Sequence, residues 1–320
     1  MEIKYIKDNE FVKEMENKVV PELSKVKQTG YYNSTDGTRI YYAKYINPNE
    51  KAVIVMSHGF CEFAEKFEEV IWYFWCRDYS VYIPEHRGHG NSDRKVDDLS
   101  KVYVKSFDEY VKDFAGFVKK IVKKKNEEEE LILYAHSMGG AIGALVLEEY
   151  PKLFDRAVLT SPMLRMRYDG IPEIVAKLMK VYASLFNLGK NYVPGQKKFD
   201  GQRDKDFGCC TSGERYEYIF RKREKNEKYH MNGATYGWSM AAMNATKKLQ
   251  KNVSKISIPV LLFQAGNDEM VDNRGQNRFA KNNRNVILIN IPNAKHEIYG
   301  SDYKTIKWYY DVMWKFLDKR

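Results

Sequence analysis

Residues Leu131 to Gly140 read Leu-Ile-Leu-Tyr-Ala-His-Ser-Met-Gly-Gly and run straight into Ala-Ile-Gly-Ala-Leu-Val-Leu. An apolar β-type run thus stops at a serine and continues as a helix-forming stretch, so the chain must turn sharply at Ser137. A turn this tight demands small neighbours. Gly139 gives it room to close, and Ala135 stands where the Gly-x-Ser-x-Gly pattern has its first glycine. The serine hydroxyl projects away from the backbone, while the amides that follow face a developing negative charge. Ser137 is therefore a candidate nucleophile.

The rest of the chain alternates in the same way. Strand patterns cover Ile40 to Tyr45, Ala52 to Ser57, Ser80 to Pro84, Leu131 to Ala135, Arg156 to Ser161, Val260 to Ala265 and Val286 to Ile291. Helical patterns fill the gaps. Ser106 to Lys125 carries Phe107, Tyr110, Val111, Phe114, Val118, Ile121 and Val122 at helical spacing, and the closing helix from Asp302 carries Ile306, Tyr309, Met313, Phe316 and Leu317. Ile71 to Cys76, rich in aromatics, reads as core helix, and Glu127 to Glu130 as a charged turn. This alternation implies an α/β fold whose mostly parallel central sheet is covered by helices on both faces. From Met163 to Val253 it breaks: Ile171 to Leu188 is an apolar helix pattern with Ile174, Leu178, Met179, Tyr182, Leu185 and Phe186, and Asn191 to Gly213 is loop-like. The expectation is one domain over residues 1–320 with an insertion at about 163–253.

A serine nucleophile needs a base, an acid that orients the base, and an oxyanion hole. In folds with this kind of elbow the chain order is Ser, then Asp or Glu, then His, on loops that follow later strands. Asp268 follows the strand pattern ending at Ala265, and His296 follows the one ending at Ile291. Both loops reach the carboxyl edge of a parallel sheet, as Ser137 does. Asp272 is the rival acid, lying further from its strand end. Among the six histidines, His58, His86, His89 and His136 precede Ser137, and His230, the rival base, has no strand before it. For the oxyanion hole, Met138 offers the amide after the nucleophile. Phe60 offers a second, from the His58-Gly59-Phe60 turn that ends the strand pattern Ala52 to Ser57.

Several of these pieces together resemble the monoglyceride lipase and lysophospholipase branch of the serine α/β-hydrolases, most of all bacterial lysophospholipases of the L2 type. They are His58-Gly59-Phe60, Arg87-Gly88-His89-Gly90 followed by Ser92, Ala135 to Gly140, Gly233-Ala234-Thr235-Tyr236-Gly237-Trp238, and Val271-Asp272-Asn273-Arg274. A departure is Gly237, where relatives often carry a larger residue. The resemblance implies an α/β-hydrolase fold with a lid made by the insertion, and cleavage of the ester of a single-chain glycerolipid, a lysophospholipid or a monoacylglycerol. It implies no metal and no organic cofactor. It puts the substrate near His58, Gly59, His136, Met163, Tyr236 and Trp238.

Composition bounds the remaining classes. Lys and Arg total 53 against 43 Asp and Glu, a net charge of +10, with Arg221, Lys222, Arg223, Lys225 and Lys228 crowded in the insertion. That charge favours approach to an anionic lipid surface or a phosphate headgroup, although lysine-rich faces are commonly just solvated. No nucleic-acid-binding platform accompanies it. Cys61, Cys76, Cys209 and Cys210 show no metal spacing, and the adjacent Cys209 and Cys210 suit a mutual disulfide poorly. Reduced thiols, a first stretch without a secretory signal and no apolar run of about 18 residues point to a cytoplasmic enzyme, peripheral at most to the inner membrane face. Oligomeric state is left open. A general carboxylesterase, thioesterase or perhydrolase of the same fold remains an alternative, and a non-catalytic binding protein is disfavoured by the complete set of catalytic residue types.

Overall fold

The computed structural model describes residues 4–123, 129–167 and 173–319. The chain begins with a helical segment, α1 (Phe11–Glu14) and α2 (Val20–Val26) joined by a π-helical turn, and then enters an antiparallel hairpin of β1 (Lys27–Asn33) and β2 (Arg39–Tyr45). After it come β3 (Ala52–Ser57), α3 (Glu68–Trp75), β4 (Tyr79–Pro84), the short β5 (Lys101–Val102) and α4 (Phe107–Phe117). β6 (Leu131–His136) leads without a loop into α5 (Ser137–Glu149) and β7 (Arg156–Thr160). α6 (Glu173–Leu185), α7 (Gly213–Lys225), β8 (Gly233–Ala234) and α8 (Tyr236–Asn252) then intervene before β9 (Val260–Ala265), α9 (Asn273–Lys281), β10 (Val286–Ile291) and α10 (Tyr303–Leu317).

Eight strands form one sheet in the order β1-β2-β4-β3-β6-β7-β9-β10, parallel from β4 to β10. From β3 the chain moves outward to β4, then returns to lay β6 on the other side of β3. Strand order thus reverses between β3 and β6, and the carboxyl ends at such a switch point are where open α/β sheets place their sites. β3, β4, β6 and β9 are buried along their whole length, which is why each reads as a continuous apolar run and not as an alternation. Their residues divide between two cores. Val53, Val55, Leu131 and Leu133 face α4, α5 and α8, while Ile54, Met56, Ile132 and Tyr134 face α3, α10 and the N-terminal helices.

The seven expected strands are present with ends within one residue. β1 is additional, and its reason is physical: as an edge strand of Lys27-Gln-Thr-Gly-Tyr-Tyr-Asn33 it buries only Tyr32, so it carries no apolar pattern. Ser106 caps α4 by accepting the Asp108 amide, and Asp302 caps α10 by accepting that of Thr305. The aromatic stretch in α3 is core, with Ile71, Tyr73 and Phe74 fully buried. The expected helix end at Lys125, the start of the helix pattern at Ile171, and Glu127 with Glu128 of the charged turn lie outside the described residues.

Glu148 on α5 is 7% exposed, and neither carboxylate oxygen has a hydrogen-bond partner among the described residues. Burial pushes its carboxyl from the ordinary 4.5 up to about 8, against the pull of Lys248 and Lys255. Between those values the folded protein holds a proton that the unfolded chain has released, so stability falls as pH rises through that window. Glu148→Gln is expected to raise unfolding free energy by about 1–3 kcal/mol at pH 8.5 and by nothing measurable at pH 4, as read from urea titrations at both values.

Candidate active site

Ser137 opens α5 one residue after β6, and the turn forces it to a φ of +51°. A non-glycine residue in this region is strained, and the strain persists because the packing around it leaves no alternative. A Cβ on Gly139 would lie 2.1 Å from the Ser57 carbonyl oxygen and 2.5 Å from that of His58. The first turn of α5 therefore lies directly on the end of β3. Ala135 takes the place of the missing glycine because its methyl faces Gly143, where a further Cβ would come within 3.3 Å. Gly139→Ala is expected to cost about 3 kcal/mol, since backbone oxygens on β3 must move. Gly189→Ala, where the new methyl meets only Tyr103 at 3.6 Å, is expected to stay within about 1 kcal/mol in the same urea titrations.

His296 stands on the loop after β10 and Asp268 on the loop after β9. The two loops run in close contact, because a Cβ on Gly266 would lie 2.3 Å from the Pro292 carbonyl oxygen. His296 Nε2 is 2.7 Å from Ser137 Oγ, and His296 Nδ1 is 2.7 Å from Asp268 Oδ2. The carboxylate sets the tautomer: Nδ1–H donates to Asp268, which leaves Nε2 to accept from the serine hydroxyl. Asp268 Oδ1 accepts the amides of Met270 at 2.8 Å and Val271 at 3.0 Å. Burial alone would raise the Asp268 carboxyl, but His296 and these amides outweigh it and hold it below the usual carboxylate range. The rivals have other work. Asp272 caps α9 and pairs with Arg165 at 3.0 Å and Arg274 at 2.7 Å, and His230 packs on Phe199.

Phe60 and Met138 are brought together by Trp238, which both of them touch. Met138 lies in the first turn of α5, where amides have no intrahelical acceptor, and Phe60 follows Gly59 at the end of β3. Trp238 covers both: its ring centroid is 4.3 Å from that of Phe60, and its indole N–H reaches Met138 Sδ at 3.4 Å. Met163 donates its amide to the Ser137 carbonyl at 2.9 Å, and Tyr236 is half-buried beside Trp238 at the start of α8. His58 is fully buried with both ring nitrogens engaged, Nδ1 with the Gly59 carbonyl and Nε2 with the His86 amide. His136 is held by the Thr160 carbonyl, with its ring 4.9 Å from that of His296. Burial pushes both histidines down to about 4, so they are neutral at ordinary pH. Gly237, where the resemblance leads one to expect a larger residue, is packed by Tyr103, whose ring would lie 2.5 Å from a Cβ there.

Sequence reading missed a group of charges beneath the site. Glu62 accepts the Gly59 amide and the Tyr299 hydroxyl, and Lys66 lies between Glu62 and Glu297. The only signal was position: Glu62 and Lys66 follow the His58-Gly59 turn at helical spacing, and Glu297 adjoins His296. Two members of the basic run of α7 are engaged inside the molecule, while Arg221 and Lys225 remain exposed. Lys222 pairs with Glu68, and Arg223 donates to the carbonyls of Tyr229 and Met231. Among the described residues no group of histidine, cysteine and carboxylate side chains has the arrangement of a metal site.

The chain matches the serine aminopeptidase S33 family over residues 48–302. It is 27% identical over 251 residues to lysophospholipase L2 of Escherichia coli K12, covering 78% of this chain and 73% of that one. It is 26% identical over 250 residues to monoglyceride lipase of Mus musculus, covering 76% and 74%. A soluble variant of monoglyceride lipase from Saccharomyces cerevisiae, solved with a substrate analog, superposes with a TM-score of 0.72 at 20% identity, covering 92% of this chain and 95% of that one. Sheet order, elbow and family match agree, and the chain belongs to the serine aminopeptidase S33 family of α/β-hydrolases.

Proposed function

We propose that this protein is a serine hydrolase that cleaves the carboxylic ester of a single-chain glycerolipid. The observation that carries the reading is the unbroken relay from Asp268 through His296 to Ser137, with both links at 2.7 Å. His296 Nε2 takes the hydroxyl proton as Ser137 Oγ attacks the ester carbonyl carbon, and Asp268 stabilises the imidazolium that forms. The amides of Phe60 and Met138 stabilise the tetrahedral oxyanion. Collapse breaks the bond to the alcohol, which leaves with the proton from His296. Water, deprotonated by the same imidazole, then attacks the acyl-enzyme and releases the fatty acid, returning the proton to Ser137.

The single-chain lipid reading draws on relatives that bear the names lysophospholipase L2 and monoglyceride lipase. It draws also on the segment between β7 and β9, which we read as a lid. α6 within it carries Ile174 and Leu178 at 62% exposure and Leu185 at 76%, and Phe186 just after it is 62% exposed, all turned to solvent. An apolar face of this size on a chain of net charge +10 suits docking on an anionic lipid surface. Among the described residues no helix is long and apolar enough to cross a membrane, so such contact would be peripheral. Leu178→Asp with Leu185→Asp is expected to weaken binding to vesicles containing phosphatidylglycerol by about tenfold and to leave turnover of a water-soluble ester within about twofold.

Fatty-acid release from lysophosphatidylcholine and from monooleoylglycerol, measured side by side with the Ser137→Ala variant as blank, tests the function. Preference for the first makes the enzyme a lysophospholipase, and preference for the second a monoacylglycerol lipase. Silence on both, with turnover of short esters or thioesters, would overturn the lipid assignment in favour of a general esterase or thioesterase.

A further inference from the structure

The charges beneath the site converge on one cation. Lys66 lies in a 3₁₀ turn (Ala64–Phe67) just before α3, with its side chain 11% exposed. Its Nζ is 3.0 Å from Glu62 Oε1 and 2.6 Å from Glu297 Oε1. Each carboxylate belongs to a different loop of the candidate site. Glu62 accepts the Gly59 amide and so holds the His58–Gly59 peptide, directly before the Gly59–Phe60 peptide that bears the Phe60 amide. Glu297 follows His296 directly and also accepts the Cys210 thiol at 3.3 Å.

Two carboxylates confined in one buried space repel, and a cation between them turns that repulsion into attraction on both sides. Burial by itself would lower the Lys66 ammonium, yet Glu297 and Glu62 hold it raised. Burial would likewise raise Glu62, and Lys66 with His136 brings it below the usual carboxylate range. The charged and titratable groups facing this cluster are Tyr299, Cys210, His136 and His58, with Glu65, Glu69 and Arg215 lining the small cavity beside Lys66.

We propose that Lys66 is a positioning residue that keeps the oxyanion amide of Phe60 in register with the base His296 by clamping Glu62 to Glu297. This rests on the serine hydrolase reading for its effect on rate, but the clamp itself is a mechanical coupling of two loops. With the cation removed, the carboxylates share a proton at low pH and stay together. As pH rises both ionise, repel, and move the two loops apart.

The test compares Lys66→Met and Lys66→Arg with the wild-type chain. Lys66→Met is expected to lower kcat by about 10- to 100-fold on a short p-nitrophenyl ester with KM within about twofold, the signature of lost transition-state alignment. Its rate is expected to decline further between about pH 6 and 8.5, a fall absent from wild type, and Lys66→Arg to restore kcat to within about threefold. Amide exchange read by mass spectrometry is expected to quicken more than about tenfold in residues 58–63 and 293–299 together. Unchanged kcat and pH profile, or quickening of one loop without the other, would overturn the clamp. Wild-type silence on every ester would instead sink the hydrolase reading, and the exchange experiment would still judge the clamp. If Lys66→Met does not fold, its combination with Glu297→Gln removes the repelling pair while the cation clamp stays absent, so kcat is expected to fall below wild type without the further decline between about pH 6 and 8.5, and a wild-type kcat would overturn the clamp.

Discussion

Ser137→Ala is expected to lower kcat on any ester by about 10,000-fold or more while the protein remains folded. The size follows from the site's economy of parts: the described geometry offers one hydroxyl within hydrogen-bond reach of His296, and without it only the oxyanion amides and substrate binding are left to assist water. Stability should change little. Alanine tolerates the +51° φ about as poorly as serine does, and the lost hydroxyl makes one hydrogen bond, to His296. The check is steady-state hydrolysis of a p-nitrophenyl ester alongside a thermal melt. The same assay should show a burst of nitrophenol equal to the enzyme concentration in wild type if deacylation is slow, and none in the variant. Near-normal turnover with an intact melt would move the nucleophile away from Ser137.

Asp268→Asn is expected to lower kcat by a comparable factor, about 10,000-fold, with little loss of structure. The amide can satisfy the space, but its NH₂ group donates to His296 Nδ1, which forces the ring proton onto Nε2. A protonated Nε2 points at Ser137 and cannot accept the serine proton. The neighbouring change Asp272→Asn is the control. Asparagine retains the N-cap of α9, and only the ion pairs with Arg165 and Arg274 are lost, so kcat should stay within about threefold. Equal losses from both variants would contradict the geometry. Asp268 also bears on pH. Its folded-state carboxyl lies below the unfolded value, so its contribution to stability is present at neutral pH and fades as pH falls through the folded-state value.

The two carboxylates show where sequence reading reaches its limit. Asp268 and Asp272 are four residues apart after the same strand, and both carry an acidic side chain near the correct edge. Distance from the strand end favours Asp268. What separates them is long-range: Gly266 passes so close to Pro292 that the loop of Asp268 meets the loop of His296, while Asp272 has already turned into the next helix. The cationic run Arg221-Lys222-Arg223 reads in sequence as a charged face for a headgroup. In the fold Arg223 ties α7 to the turn at Tyr229 and Met231, and Lys222 ties it to Glu68 on α3.

α6 shows the opposite case. Its apolar residues repeat at helical spacing, which identifies a helix but says nothing of what its apolar side meets. The tertiary arrangement leaves that side in water, and the lipid-docking reading rests on this exposure. The hidden edge strand β1 has the same cause in reverse, since only Tyr32 is buried and periodicity has nothing to register.

By itself the sequence determined the alternation of strand and helix, the mostly parallel sheet, the sharp turn at Ser137, and the order of serine, acid and histidine along the chain. These are local quantities, set by periodicity, small residues at turns and the distance of a side chain from a strand end. Only the tertiary structure decided that Ser137 and His296, 159 residues apart, meet at 2.7 Å, and that Lys66 is shared between the loops of Phe60 and His296. Such pairings depend on which surfaces the fold buries against each other, and burial turns an ordinary lysine or glutamate on a solvated face into a charge that must find its partner.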